Sequence, residues 1–440
     1  MPDPPNNPGR MILATIGAGV LAGFGAIAFH YSSDSLGEYL FSRTEALHPS
    51  IPTVLLVPTI GLFLVGWMLQ RFPEGRKGGV REVLESLDSV EGRVPFVRIL
   101  NVMLSGLVLA VGGSVGPEGP MVQLGALSGS LAGEWFGLNR RQLKTLVRAG
   151  AAAGIAAAFR SPAGGVLLTL EIFGAKFNRD LTAISVAAGI GYLVRTAILG
   201  DAAPFRPAAP MNSLPLTTIL IVAPLMGLLA APTGHLFISM FNRFQKIFPE
   251  QWPLWFRITL GGFLVGCIGL RFPQVLSAGY PAIQQTLHGE IGYGLLALLV
   301  LLKMLATSIT FGSGAVGGLF APTLVIGSFF GGAVGYGLHA FFPHAVPQPE
   351  LFVLLGMIVM FGSIIKGYWS GLLMIADLSG CYHQLLLPGV IAGGVSYLIS
   401  WELREKSIFG LTLDPQTPEL ISIASSAPTT LDEALRKGSE

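Results

Sequence analysis

Glu118 is the residue in this chain best placed to do chemistry. It stands in Gly113-Ser114-Val115-Gly116-Pro117-Glu118-Gly119-Pro120, where an apolar stretch is interrupted and a helix is expected to begin. A second glycine-rich break runs from Gly312 to Pro322. Gly116, Pro120 and Gly125 recur there as Gly318, Pro322 and Gly327, each 202 residues on. Paired breaks at matching places in two halves point to an ion site at membrane depth. The chemistry such breaks offer is anion binding. A helix N-terminus presents unpaired N–H groups and about half a positive charge. Several such ends aimed at one point attract an anion yet let it leave, where a full lysine charge would hold it. Gly116 to Gly119 and Gly317 to Ala321 read as helix starts, with Pro120 and Pro322 in the first turn. The Glu118 carboxylate is itself an anion. It can occupy the same pocket as a transported ion, and protonation would release it.

The elements that must position these residues are membrane helices. Of the 440 residues 51% are hydrophobic and only 12% charged, against about 25% charged in a soluble domain. Apolar stretches cover 11–29, 52–69, 98–112, 121–135, 183–199, 216–231, 254–271, 293–309, 319–340, 351–365 and 385–401. Several approach the roughly 20 residues that span a bilayer. They are continuous and not alternating, which argues for an all-α polytopic membrane protein and against a β-barrel. The 58 glycines and 30 prolines suit close helix packing and broken helices around a watery interior. The expected organisation is a tail over 1–10, one transmembrane domain over 11–410 with halves of about 11–200 and 216–410, and a short tail over 411–440.

Net charge is +2, which suggests no nucleic-acid partner. Arg71, Arg76, Lys77 and Arg81, then Arg140, Arg141 and Lys144, mark loops expected on the cytoplasmic side, as is the N-terminus. Cys267 and Cys381 lie in apolar context and read as packed thiols, not a disulfide. A further repeat links Arg160, Gly165 and Glu171 to Lys366, Gly371 and Asp377, each 206 residues on. Glu171 and Asp377 read as structural acids paired with Arg160 and Lys366. The offsets alone leave open whether the halves are parallel or inverted.

These motifs resemble the CLC family of chloride channels and proton-coupled chloride transporters, in the bacterial form without a C-terminal regulatory domain. Gly116-Pro117-Glu118-Gly119-Pro120 is similar to its Gly-Arg/Lys-Glu-Gly-Pro motif, and Gly318-Leu319-Phe320-Ala321-Pro322 to its Gly-x-Phe-x-Pro motif. The run from Ala151 to Glu171 and Ser407-Ile408-Phe409 follow in the family's order, so the resemblance spans roughly 70 to 410. It implies an inverted repeat of two halves with many tilted and broken helices. It further implies a homodimer with an anion path in each subunit, in a bacterial inner membrane. Chloride or a similar small anion and protons would be its partners in the lipid bilayer, with no cofactor. Glu118 would be the external gate. Backbone N–H groups of Gly116, Glu118, Gly119, Leu319, Phe320 and Ala321 would line the anion sites.

The departures matter as much. Gly78, in Lys77-Gly78-Gly79-Val80-Arg81, stands where the family has the serine of its central site. Phe409 stands where it has a tyrosine. Both side-chain donors are therefore absent. Pro117 replaces a basic residue and has no N–H. Ile172 occupies the position of the internal proton-relay glutamate of many exchangers.

Three transport readings follow: proton-coupled chloride exchange gated by Glu118, a passive chloride channel, or carriage of another anion such as fluoride, nitrate or bicarbonate. Two rivals come from outside transport. Gly112-Gly113-Ser114-Val115-Gly116 fits the Gly-x-Ser-x-Gly of hydrolases. That motif needs a strand-to-helix elbow with a positioned histidine and acid, whereas the seven histidines are scattered and no His-Glu-x-x-His pair exists for a metal. The reading is therefore not an enzyme. A structural membrane scaffold, which would show no ion flux, is the other rival.

Overall fold

Two segments of identical sequence, Arg71-Phe72-Pro73 and Arg271-Phe272-Pro273, end two long apolar helices and frame the fold. Each proline stops its helix, because it can neither donate an N–H nor leave its predecessor helical. Both phenylalanines adopt the same extended turn, and each lies under its neighbouring guanidinium, at 5.6 and 5.7 Å. A computed structural model describes residues 8–47, 53–89, 92–175, 179–207, 215–403 and 406–410. Among them are sixteen α-helices in two sets of eight.

The first set is α1 (Pro8–Leu47), α2 (Thr53–Arg71), α3 (Gly79–Asp88), α4 (Ile99–Ala110), α5 (Glu118–Trp135), α6 (Arg140–Phe159), α7 (Pro162–Ile172) and α8 (Arg179–Leu199). The second, in the same order, is α9 (Leu216–Ile247), α10 (Leu254–Arg271), α11 (Tyr280–Leu287), α12 (Tyr293–Gly312), α13 (Phe320–Phe341), α14 (Glu350–Ile365), α15 (Tyr368–Ser379) and α16 (Tyr382–Glu402). Among the described residues, eight helices are long and apolar enough to cross a membrane, including α2, α9, α10, α12 and α13. Helix α1 already begins at Pro8, so residues 8–10 belong to it and not to a tail; proline suits a first helical position because its missing N–H is not needed there. Residues 1–7 and 411–440 lie outside the described residues.

The halves are inverted. Gly116 and Gly318 exchange both backbone hydrogen bonds across an antiparallel bridge, at 2.7 and 2.9 Å. Two equivalent residues paired this way straddle a two-fold axis, and the chain leaves it in opposite directions. Helices α5 and α13 therefore start together and run apart. The change of offset from 202 to 206 is also explained. Helix α13 has 22 residues against 18 in α5, the following connection is four residues longer, and α14 has 16 residues against 20 in α6.

Small residues let these helices touch backbone to backbone. A Cβ at Gly327 would lie 2.7 Å from the Gly356 carbonyl oxygen on α14, and one at Gly191 2.7 Å from that of Ala153. Such contacts rely on packing, because apolar burial drives little association among lipid tails. The two cysteines are free, and Cys267 lies exposed on α10 instead of packed.

Candidate functional site

The reciprocal glycine bridge brings the N-termini of α5 and α13 to one point, and Glu118 is the first residue of α5. Its side chain is 1% exposed. Oε2 accepts the Ala321 N–H of α13 at 3.1 Å, and Oε1 accepts the Tyr280 hydroxyl. The carboxylate of one half thus sits on the helix start of the other. The first N–H groups of a helix have no partner within it, and they favour negative charge. Leu319 caps α13, and Phe320 and Ala321 open it, so their N–H groups face the same end.

Glycine is required here by contact. A methyl group on Gly119 would come 2.8 Å from Gly318 Cα, and one on Gly318 would come 2.6 Å from the Gly116 carbonyl oxygen. One expectation is corrected by the same geometry. The Gly116 N–H is bound to the Gly318 carbonyl, so it holds the two halves together and does not point at an anion.

The central position differs from what a serine would give. Gly78 is the cap of α3, with extended backbone. A Cβ there would land on the amide of Asn101, whose Nδ2 donates to the Gly75 carbonyl at 2.8 Å. The next donor, the Gly79 N–H, is engaged by Gln123 Oε1 at 2.6 Å, and Gln123 Nε2 donates to the Arg98 carbonyl at 3.0 Å. Asn101 and Gln123 therefore fill the space and the hydrogen bond that a serine would command. Gly78→Ser is expected to lower stability by about 1–3 kcal/mol through overpacking. Asn101→Ala in the same chain should restore part of it, and thermal unfolding of the purified variants reads both.

Phe409 packs on Phe320, the first residue of α13. The Phe320 ring is surrounded by Phe159, Phe361 and Phe409, at centroid distances of 6.2, 5.4 and 6.1 Å. Ile172 ends α7 and is 2% exposed in the main apolar core. Neither contributes a polar atom from its side chain.

Glu171 is not paired with Arg160. Its two oxygens accept the Trp369 and Ser370 N–H groups at 2.9 and 3.0 Å, capping the start of α15. Asp377 accepts the Tyr382 hydroxyl. Arg160 and Lys366 instead share a backbone role. Each ends its helix in the left-handed conformation, with φ of 53° and 69°. Ser114 is fully buried with its hydroxyl 3.0 Å from that of Thr307, and it sits between two helices, not on a strand-to-helix elbow.

Four residues at or beside the site escape sequence reasoning: Tyr280, Gln123, Asn101 and Lys303. Lys303 is fully buried, and its Nζ donates to the Val275 and Ser277 carbonyls at 2.9 Å each. Asn101 does the same work in the other half on Gly75, which matches Val275 in the repeat. The repeated Arg-Phe-Pro could have aligned these loops.

A family profile described as "Voltage gated chloride channel" matches residues 61–401. The Escherichia coli "Voltage-gated ClC-type chloride channel ClcB" is 31% identical over 418 residues, 91% of this chain and 97% of that protein. The Vibrio cholerae "H(+)/Cl(-) exchange transporter ClcA" is 28% identical over 437 residues, 92% of each. Among solved structures, a slow cyanobacterial Cl-/H+ antiporter superposes with a TM-score of 0.80 at 23% identity, covering 92% of this chain and 97% of that one. A CLC-type fluoride/proton antiporter superposes at 0.75 with 24% identity, covering 89% and 95%. At these identities the two superpositions establish a common fold.

Proposed function

The chain belongs to the voltage-gated chloride channel family, the CLC family, and on that premise we propose that it carries chloride across a membrane in exchange for protons, with Glu118 as gate. The observation that carries this reading is the Glu118 carboxylate seated on the Ala321 N–H at the start of α13. A buried carboxylate held by a helix N-terminus occupies the ground an anion would take. Protonation removes its charge and frees the ground, so anion entry and proton uptake are tied to one group. The N–H groups of Glu118, Gly119, Leu319, Phe320 and Ala321 serve as anion donors in this reading, with the bridge between Gly116 and Gly318 as their frame. The relative from Vibrio cholerae is named as an exchanger of this kind. The chain works as a homodimer in a bacterial inner membrane.

A passive chloride channel is the second reading. Ile172, apolar and buried where a relay acid would stand, favours it, and the Escherichia coli relative is named as a channel. Purified protein in liposomes separates the two. With an imposed chloride gradient and zero membrane potential, exchange drives protons uphill. Chloride movement with no proton movement would reject exchange and leave the channel.

A further inference from the structure

We propose that the Tyr280 hydroxyl is an anion ligand: it holds the Glu118 carboxylate in the closed state and donates to chloride when that carboxylate leaves. The inference rests on Glu118 being the gate, and goes beyond it in assigning a side chain to the anion.

The carboxylate has two neighbours from the opposite half of the chain, the Ala321 N–H at Oε2 and the Tyr280 O–H at Oε1. Donors that satisfy one anion at a point satisfy another that replaces it there. A phenolic O–H suits such exchange, because it offers a partial charge and leaves the ion free to depart. The two positions at which the family has hydroxyls in its central site, Gly78 and Phe409, carry none here.

The hydroxyl is held in place by its surroundings. Tyr280 opens α11, directly after Gly279, whose φ of 84° turns the chain there. The preceding turn is fixed from both sides. Lys303 Nζ binds the Val275 and Ser277 carbonyls, and Ser277 itself donates its N–H to the Gly112 carbonyl at 3.2 Å and its hydroxyl to that of Leu109 at 3.0 Å. The Tyr280 ring packs on Phe205 with centroids 5.7 Å apart. Phe205 is buried, and its N–H donates to the Leu378 carbonyl at 3.1 Å. Tyr280 is half-buried where Glu118 is almost wholly buried.

Chloride titration calorimetry on the purified full chain tests this. Glu118→Gln should bind chloride, and adding Tyr280→Phe should weaken that binding about tenfold, the scale of one hydrogen bond to a charged group. The phenylalanine keeps the ring against Phe205, so the fold is retained. If Tyr280→Phe leaves the affinity within twofold, the assignment of Tyr280 is overturned while the gate reading stands. If Glu118→Gln binds no chloride and the unaltered chain carries none, the gate reading falls and Tyr280 with it.

Discussion

Glu118→Gln is expected to carry chloride at a rate that does not follow external pH, and to move no protons against their gradient. In the unaltered chain the carboxylate accepts from two donors, the Ala321 N–H and the Tyr280 hydroxyl. A hydrogen bond to a charged group contributes about 1.5–3 kcal/mol, so this seat is strongly held while the group is ionised. Glutamine has the same shape but one acceptor oxygen. Its amide NH2 must face one of the two donors, which opposes the contact. Glutamine therefore loses the seat as a protonated glutamate would. Glutamine cannot ionise, so wherever the Glu118 carboxylate is charged the variant should exceed the unaltered chain by about tenfold in chloride efflux, the scale of one hydrogen bond to a charged group. Acid should raise flux in the unaltered chain and leave the variant level. Liposome efflux between pH 4.5 and 7.5, with a proton indicator, measures both. A variant whose flux still climbs with acid would place the titrating group elsewhere.

The part of the site that was legible in the sequence is the part written in glycine and proline. Gly116 and Gly125 cannot be replaced at will, because a side chain there would meet the backbone of another helix, and Pro120 suits a first helical turn, so their spacing survives in the repeat. Glu118 stood out because an acid within an apolar break has few bland roles. What was illegible depends on distance through space. Tyr280 reaches Glu118 across 162 residues, and Lys303 reaches Ser277 across 26, with no periodicity to announce either. Gly78 reads in the sequence as the loss of a hydroxyl, which it is. That Asn101 fills the vacated volume follows only from α4 lying against the start of α3. The Gly116 N–H is a candidate anion donor in the sequence, as every glycine N–H at a helix start is. The reciprocal bond to Gly318 engages it, and a pairing between halves leaves no local trace. Arg160 and Lys366 matched in charge, but the property they share in the fold is a left-handed helix end.

Gly318→Ala is expected to abolish transport while leaving most helices formed. The added methyl would come 2.6 Å from the Gly116 carbonyl oxygen and 2.7 Å from the Gly119 nitrogen, closer than side-chain carbons approach. Both obstacles are backbone, so no rotamer change relieves them. The two halves must part, and the reciprocal bonds of 2.7 and 2.9 Å between Gly116 and Gly318 stretch or break. Leaving a buried backbone group unpaired costs about 1–3 kcal/mol, and overpacking adds about 1–3 kcal/mol more. The variant should unfold at a clearly lower temperature in detergent. Function should suffer more than stability. Parting α5 from α13 by even about 1 Å carries the Ala321 N–H away from Glu118, and a misplacement of that size costs roughly a hundredfold where geometry carries the chemistry. Chloride efflux at the pH of greatest flux, compared with the helix signal of the same preparation, separates the effects. An alanine variant that transports within twofold of the unaltered chain would mean that the close meeting of the two helix starts is not what makes the site.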